Sequence, residues 1–185
     1  MKFLTVLVLS LMTPFLCGCG TAKNNDSSKM IDVAGHKLYL ASSGVGTPPV
    51  VLESGGGDCG SNGSWQKVIA SIKEKTQIAV YDRAGLGRSE PGPEPRDYRH
   101  IAEDLHTLLQ NAGLRPPFIL VGHSMGGLHI QVFAANYPSE VAGMVFVDPE
   151  PKEFLVHLSP EEMAAELAKR KLQASRPVPE PKRQA

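Results

Sequence analysis

One serine stands in a setting that suits nucleophilic chemistry. Residues 122–126 read G-H-S-M-G and follow an apolar run at 118–121, which predicts a strand, a sharp turn and a helix. In a G-x-S-x-G pattern the serine, here Ser124, is held on a strained turn with its hydroxyl exposed above a sheet. The glycines at 122 and 126 would let the strand and helix backbones approach closely. Such a hydroxyl could attack an acyl carbon, although the same five residues also fit a plain glycine-rich turn.

A second stretch could stabilise the negative charge that acyl chemistry creates. Residues 54–60 read S-G-G-G-D-C-G and follow the buried-strand pattern of residues 49–53. Glycines at the end of a strand let backbone N–H groups face an anion or oxyanion. Two alternatives are a flexible surface loop and a phosphate-binding loop, but neither G-x-x-x-x-G-K-[ST] nor G-x-G-x-x-G is present to support the latter.

Length and composition favour one compact domain behind an export signal. The chain has 185 residues, no net charge and 42% hydrophobic residues, a balance that gives no indication of nucleic-acid binding. Residues 1–18 have one early lysine and a short apolar core, which is typical of a signal peptide.

The end of this leader resembles the lipobox of bacterial lipoproteins. Residues 16–19 read L-C-G-C, and the resemblance implies that Cys19 becomes the lipidated first residue, followed by a tether over 19–30. We therefore expect export to the bacterial cell envelope and anchoring there by lipid. The alternative is ordinary signal cleavage, with Cys19 incidental. Cys59 would then be a lone bystander thiol.

The elements that must position Ser124 alternate between strand and helix after an opening hairpin at 31–40. Buried strands are predicted at 49–53, 77–81 and 141–147, and helices at 64–72, after Asp97 and after Ser124. This order favours a mostly parallel α/β sheet with helices on both faces. We predict that the helix after Ser124 buries the apolar stripe Leu128, Val132 and Ala135.

Several polar residues receive structural rather than chemical interpretations. An Asp82–Arg83 pair is expected to pin the loop after the strand at 77–81, and His36 is expected to be a solvated turn residue. His123 and His129 flank Ser124 in sequence, but neither is expected to act as its base, since His129 should point into the packing.

Three stretches in order resemble the α/β-hydrolase family, over residues 31–150. These are L-E-S-G-G-G at 52–57, Y-D-R-A-G-L-G-R-S at 81–89 and G-H-S-M-G-G at 122–127. The resemblance implies that Ser124 is the nucleophile and that the N–H groups of Met125 and Gly56 form the oxyanion hole. It implies small ester or related acyl substrates, with no cofactor and no metal. One departure is Glu53-Ser54-Gly55, where many members have His-Gly.

The acid and the base of the family are harder to place. Asp148 follows a strand and is a candidate acid, but it also fits a structural loop aspartate. His157 lies in what resembles the start of a lid, predicted over 151–173 and followed by a disordered tail at 174–185. We expect the histidine to come from sequence beyond this chain.

Two functional hypotheses remain at this point. One is a serine hydrolase that is incomplete in this chain, and the other is a non-catalytic remnant or binding module. Without further strands, the strand ending at Val147 is expected to expose an apolar edge that favours self-association.

Overall fold

A six-stranded sheet forms the centre of the computed structural model, which describes residues 26–61 and 63–151. The sheet order is β1-β2-β4-β3-β5-β6, with β1, β2 and β4 antiparallel and β4, β3, β5 and β6 parallel. The strands are β1 (Ser27–Asp32), β2 (Lys37–Ser43), β3 (Val50–Glu53), β4 (Ile78–Tyr81), β5 (Phe118–His123) and β6 (Val141–Val147). The mostly parallel α/β sheet predicted from sequence is confirmed.

Three α-helices cover the two faces of this sheet. They are α1 (Gln66–Ile72), α2 (Tyr98–Asn111) and α3 (Gly126–Asn136), and a 3-10 turn at Pro138–Glu140 leads into β6. Side chains of α2 and α3 pack with one set of strand residues, whereas α1 and Trp65 pack with the alternate set. Because successive strand residues point to opposite faces, β3 and β4 are buried throughout.

The ends of α2 follow from its sequence. The Asp97 carboxylate accepts a hydrogen bond from the His100 N–H at 3.0 Å, as an N-cap does. Gly113 has a φ of 76° just past the last turn, a conformation that ends helices and that glycine adopts without strain. The helix predicted after Asp97 is confirmed, and α2 packs Leu105 and Leu108 against the sheet.

The first strand begins earlier than the sequence pattern indicates. Ser27 pairs with Ser42 and Lys29 with Leu40, so β1 starts four residues before the predicted hairpin at 31. Five of its six residues are exposed. Backbone pairing does not require apolar side chains, which is why the hydropathy pattern missed this part of the strand.

The prediction for the buried face of α3 was wrong. The helix buries His129, Ile130 and Phe133, together with its first two glycines. The close approach of the helix start to the sheet fixes its rotation, so Leu128 and Val132 are only half-buried and Ala135 is exposed. Those three residues line an open cleft of about 390 Å³ with Tyr98, Gln131, Glu150 and Pro151.

Within residues 26–61 and 63–151, no helix has the length and apolar character needed to cross a bilayer.

Candidate active site

The turn between β5 and α3 holds Ser124 in a strained conformation. Its φ is 52°, in the left-handed region that residues with a side chain rarely adopt. The Ser124 N–H donates to the Val147 carbonyl at 3.1 Å, and its carbonyl accepts from the Gly127 and Glu150 N–H groups at 2.9 and 3.0 Å. These three backbone hydrogen bonds, one with α3 and two with β6 and the residues that follow it, stabilise a conformation that alone costs about 1–3 kcal/mol.

Two glycines make this turn sterically possible. A Cβ at Gly122 would lie 2.6 Å from the Gly126 carbonyl oxygen, and a Cβ at Gly126 would collide with the Glu53 carbonyl oxygen. Any side chain at either position would push the strand and the helix apart. The steric role that the sequence assigned to these glycines is confirmed.

The glycine-rich loop after β3 lies directly against the serine turn. A Cβ placed on Gly55 would be 3.3 Å from the Ser124 Cβ. The Asp58 N–H donates to the Gly55 carbonyl at 3.3 Å and Gly57 has a φ of 70°, so Gly56 occupies the tip of a tight turn. Met125 caps the N-terminus of α3 on the other side of Ser124. The structure thus brings together the three segments that the sequence selected.

Beneath this loop lies a buried polar cluster formed by Glu53, Tyr81, Arg83 and His129. The Glu53 Oε1 accepts from Arg83 Nη1 at 2.7 Å and from His129 Nδ1 at 2.8 Å, and its Oε2 accepts from the Tyr81 hydroxyl at 2.5 Å. Glu53 is 0% exposed and Arg83 6%. The sequence did not predict this cluster; a glutamate ending a buried strand was the available signal.

The expected Asp82–Arg83 pair is not found. Arg83 pairs with Glu53 instead, while Asp82 accepts from the Ser61 N–H at 2.9 Å, the Ser61 hydroxyl at 2.8 Å and the Arg88 N–H at 3.0 Å. Consecutive residues at the end of a strand point in opposite directions, so each of the two finds its own partner. Both still fix the loop after β4.

The buried cluster shifts the ionisation of its members. Burial raises the pKa of the Glu53 carboxyl, but the hydrogen bond and charge of His129 and the charge of Arg83 outweigh it, and the net shift is downward. Desolvation lowers the pKa of His129 despite its bond to Glu53. Burial, followed by the Glu53 charge, raises the pKa of Tyr81. The Glu53 carboxylate pairs with Arg83 and accepts from His129 Nδ1, so the N–H of the His129 ring is at Nδ1.

Comparison with known families identifies the family to which this fold belongs. The family model for the alpha/beta hydrolase fold matches residues 48–175. The chain belongs to the alpha/beta hydrolase fold family.

Relatives and solved structures agree with this assignment. The chain is 31% identical over 119 residues to the uncharacterised protein YbdG of Bacillus subtilis, which covers 64% of this chain and 37% of YbdG. An esterase from Thermogutta terrifontis superposes with a TM-score of 0.63 at 26% identity, over 78% of this chain and 51% of the esterase. A bromoperoxidase from Bacillus anthracis superposes with a TM-score of 0.63 at 27% identity, over 74% and 49%. The chain thus spans about half, or less, of the length of these proteins.

In this member of the alpha/beta hydrolase fold family, none of the described histidines is hydrogen-bonded to the Ser124 hydroxyl. His129 is 1% exposed and bonded to Glu53, in agreement with the prediction that it points into the packing. The His123 ring lies edge-on to Trp65, with ring centres 6.3 Å apart. His36, expected in solvent, is instead buried with Nε2 3.2 Å from Asp104, because α2 covers the hairpin turn.

Of the remaining predicted residues, Asp148 adjoins the serine turn, because Val147 before it and Glu150 after it are hydrogen-bonded to the Ser124 backbone. Asp148 follows β6 directly, is exposed and has a φ of 44°. Cys19, with the leader and most of the tether, and His157, with the predicted lid and tail, lie outside the described residues. Cys59 is in no disulfide. No cluster of three or more His, Cys, Asp or Glu suited to a metal occurs at residues 26–61 or 63–151.

Proposed function

We propose that this chain carries the nucleophilic half of a serine hydrolase for small esters or related acyl substrates. The observation that carries the proposal is the strained Ser124, with its φ of 52°, lying against the Gly55 backbone. A residue with a side chain keeps such a conformation only where its surroundings enforce it, and such strain is concentrated at functional sites.

The proposed reaction begins with attack of the Ser124 Oγ on the acyl carbon. The carbonyl π electrons move to oxygen, and the resulting oxyanion is stabilised by the N–H groups of Gly56 and Met125. Collapse of this intermediate expels the alcohol, which leaves with the serine proton, and forms an acyl-serine ester. Water then hydrolyses that ester and regenerates the Ser124 hydroxyl.

The start of α3 favours this charge development. The helix is 11 residues long and begins at Gly126, two positions after Ser124. Its aligned peptide dipoles place partial positive charge at that end. Asp148, directly after β6, is the candidate acid, and the base is a group other than the histidines in the described residues.

Covalent labelling tests the proposal. A fluorophosphonate probe should label the folded wild-type chain, with fluoride as the leaving group, and labelling should disappear in Ser124→Ala. Ser139→Ala is the matched control, because Ser139 is exposed in the 3-10 turn before β6, and it should label like the wild type. A folded wild-type chain that is not labelled, or a labelled Ser124→Ala, contradicts the proposal.

The second candidate is a non-catalytic remnant or binding module. It is favoured by one observation: none of the described histidines contacts the Ser124 hydroxyl, and a serine hydroxyl without a base is a weak nucleophile. The same labelling experiment separates the two functions, because the remnant predicts a folded chain without labelling.

We also propose that Cys19 anchors the exported protein to the bacterial envelope by lipid, which rests on the L-C-G-C sequence at 16–19. Growth with a radiolabelled fatty acid should label the wild type and leave Cys19→Ser unlabelled. Cys59→Ser is the control and should be labelled normally. Equal labelling of Cys19→Ser and the wild type contradicts the anchor.

A further inference from the structure

The Arg83 guanidinium holds two consecutive carbonyl groups of the glycine-rich loop. Its Nη1 donates to the Ser54 carbonyl at 2.5 Å, and its Nη2 donates to the Gly55 carbonyl at 2.5 Å. An arginine fork is planar and presents its donors at fixed angles. It therefore sets the direction of both carbonyls, and not only their distance from β4.

Fixing these carbonyls also fixes the amides that follow them. In a planar trans peptide the C=O and the next N–H point in opposite directions. Because the Gly55 carbonyl faces Arg83, the Gly56 N–H points away from Arg83. Gly55 lies against Ser124, so the same constraint determines what the loop presents beside the serine.

The loop has few other means of holding this orientation. Three successive glycines at 55–57 have wide conformational freedom. Two other restraints on the loop are the Asp58–Gly55 turn bond at 3.3 Å and the bond from Trp65 Nε1 to the Ser54 hydroxyl at 2.9 Å. The Trp65 bond does not reach the Gly55–Gly56 peptide, and the Asp58 bond alone leaves that peptide free to rotate. Arg83 adds a second donor on the Gly55 carbonyl and so fixes the peptide plane.

Arg83 is itself held by Glu53, whose carboxylate is fixed from two further elements. Glu53 at the end of β3 accepts from its Nη1, and the same carboxylate accepts from His129 on α3 and Tyr81 on β4. A buried ion pair that served stability alone would need only Glu53 and Arg83. Here the guanidinium also donates two hydrogen bonds to carbonyl groups of the loop beside Ser124.

We propose that Arg83 is a positioning residue that orients the Gly55–Gly56 peptide so that the Gly56 N–H faces the oxyanion formed at Ser124. Glu53 supports it by fixing the guanidinium. This inference rests on the proposed function for its catalytic consequence, whereas the orientation of the peptide is a property of the folded chain.

Arg83→Lys is the sharpest variant, because it keeps the positive charge beside Glu53 but one ammonium cannot replace the planar fork. Saturation kinetics of fluorophosphonate labelling should show a maximal rate about tenfold or more below the wild type, with half-saturation unchanged within about twofold. Arg88→Lys is the matched control, since Arg88 lies in the same loop and bonds the Tyr39 hydroxyl at 2.7 Å. It should label like the wild type.

A second measurement reads the orientation without any reaction. In ¹⁵N-labelled protein, the amide signals of Gly55 and Gly56 should shift or broaden in Arg83→Lys and stay in place in Arg88→Lys. Should Arg83→Lys fail to fold, Glu53→Gln replaces it: the Gln oxygen still accepts from Arg83 and His129, and a smaller change in the same two readouts is expected.

The outcomes are distinguishable. Unchanged glycine amide signals in the folded variants, or an unchanged maximal labelling rate, overturn the inference and leave the proposed function standing. A folded wild-type chain without labelling overturns the proposed function, and with it the oxyanion role of Gly56. If Arg83→Lys instead raises the probe concentration needed for half-saturation and leaves the maximal labelling rate unchanged, the positioning role is overturned.

Discussion

Glu53 and Phe146 lie in one row of the sheet, since Glu53 is level with Gly122 on β5, and Gly122 is level with Phe146 on β6. The carboxylate is 0% exposed, whereas the aromatic ring is 42% exposed. The charged residue is buried because three donors satisfy it and helices cover both faces of β3. Hydrophobicity alone would have reversed the two positions.

The difference extends along both strands. β3 is buried at every residue, but β6, which is equally apolar, exposes Met144, Val145, Phe146 and Val147 by 40–47%. In the described sheet β6 is an edge strand that contacts α3. The comparison shows that β3 is covered on both faces, whereas β6 holds Ser124 through the Val147 carbonyl but leaves much of its apolar surface exposed.

The largest expected effect on the free energy of unfolding comes from truncating one of two paired side chains, one on the buried strand β5 and one on the exposed strand β6. Leu120 on β5 is level with Met144 on β6, but Leu120 is 0% and Met144 40% exposed. Leu120→Ala should lower the free energy of unfolding by about 2–5 kcal/mol through transfer and cavity terms. Met144→Ala should change it by about 0.5 kcal/mol or less. Urea unfolding of both variants measures this, and equal losses would refute the contrast between the two strands.

A change of pH is expected to have a smaller effect on the free energy of unfolding. This effect arises from His129, which is bonded to Glu53 of β3. The pKa of His129 lies below 6.5 in the folded chain because burial desolvates its ring. Protonation then favours the unfolded state, so stability is complete above pH 6.5 and declines as pH falls toward the lowered folded pKa. One such group contributes a slope of up to about 1.4 kcal/mol per pH unit.

His129→Asn, which can still donate to Glu53, should remove that part of the slope below pH 6.5 in urea unfolding. Met144→Ala is the control, because β6 contains no titratable residue and the slope should remain. If His129→Asn and the wild type share the same slope, desolvation of His129 does not control acid stability.

The smallest effect on the free energy of unfolding is expected from substitutions on the exposed surface of β6. Such substitutions should instead change self-association. The predicted self-association should weaken in Val145→Lys, because a charge on an exposed edge strand opposes pairing. Val45→Lys is the matched control, since Val45 is 46% exposed in a loop and Val145 47% exposed on β6. Sedimentation velocity over a concentration series should show association in the wild type and in Val45→Lys. A wild-type chain that is monomeric throughout would count against self-association.

Much of the fold could be predicted because its signals are local. The Asp97 cap and the Gly113 stop act on neighbouring residues, and the glycines at 122 and 126 serve a turn within five positions. The apolar runs of β3 and β4 likewise report burial on both faces. Such patterns depend on backbone geometry that repeats every two or 3.6 residues.

The errors concern contacts between elements that are distant in sequence. The rotation of α3 depends on how closely Gly126 approaches Glu53, and the partner of Arg83 depends on β3 lying beside β4. His36 is buried only because α2 brings Asp104 to the hairpin. The spacing of residues along the sequence does not predict these three contacts.

By itself, the sequence determined which segments are strands, helices and turns, and selected Ser124 and the loop containing Gly56 as the site. Only the tertiary structure decided that Glu53 and Arg83 lie beneath that candidate site, whereas the exposure of β6 was expected from the sequence. The physical reason is that a propensity is a property of a few adjacent residues, whereas burial and the pairing of a charge depend on the order of strands in the sheet.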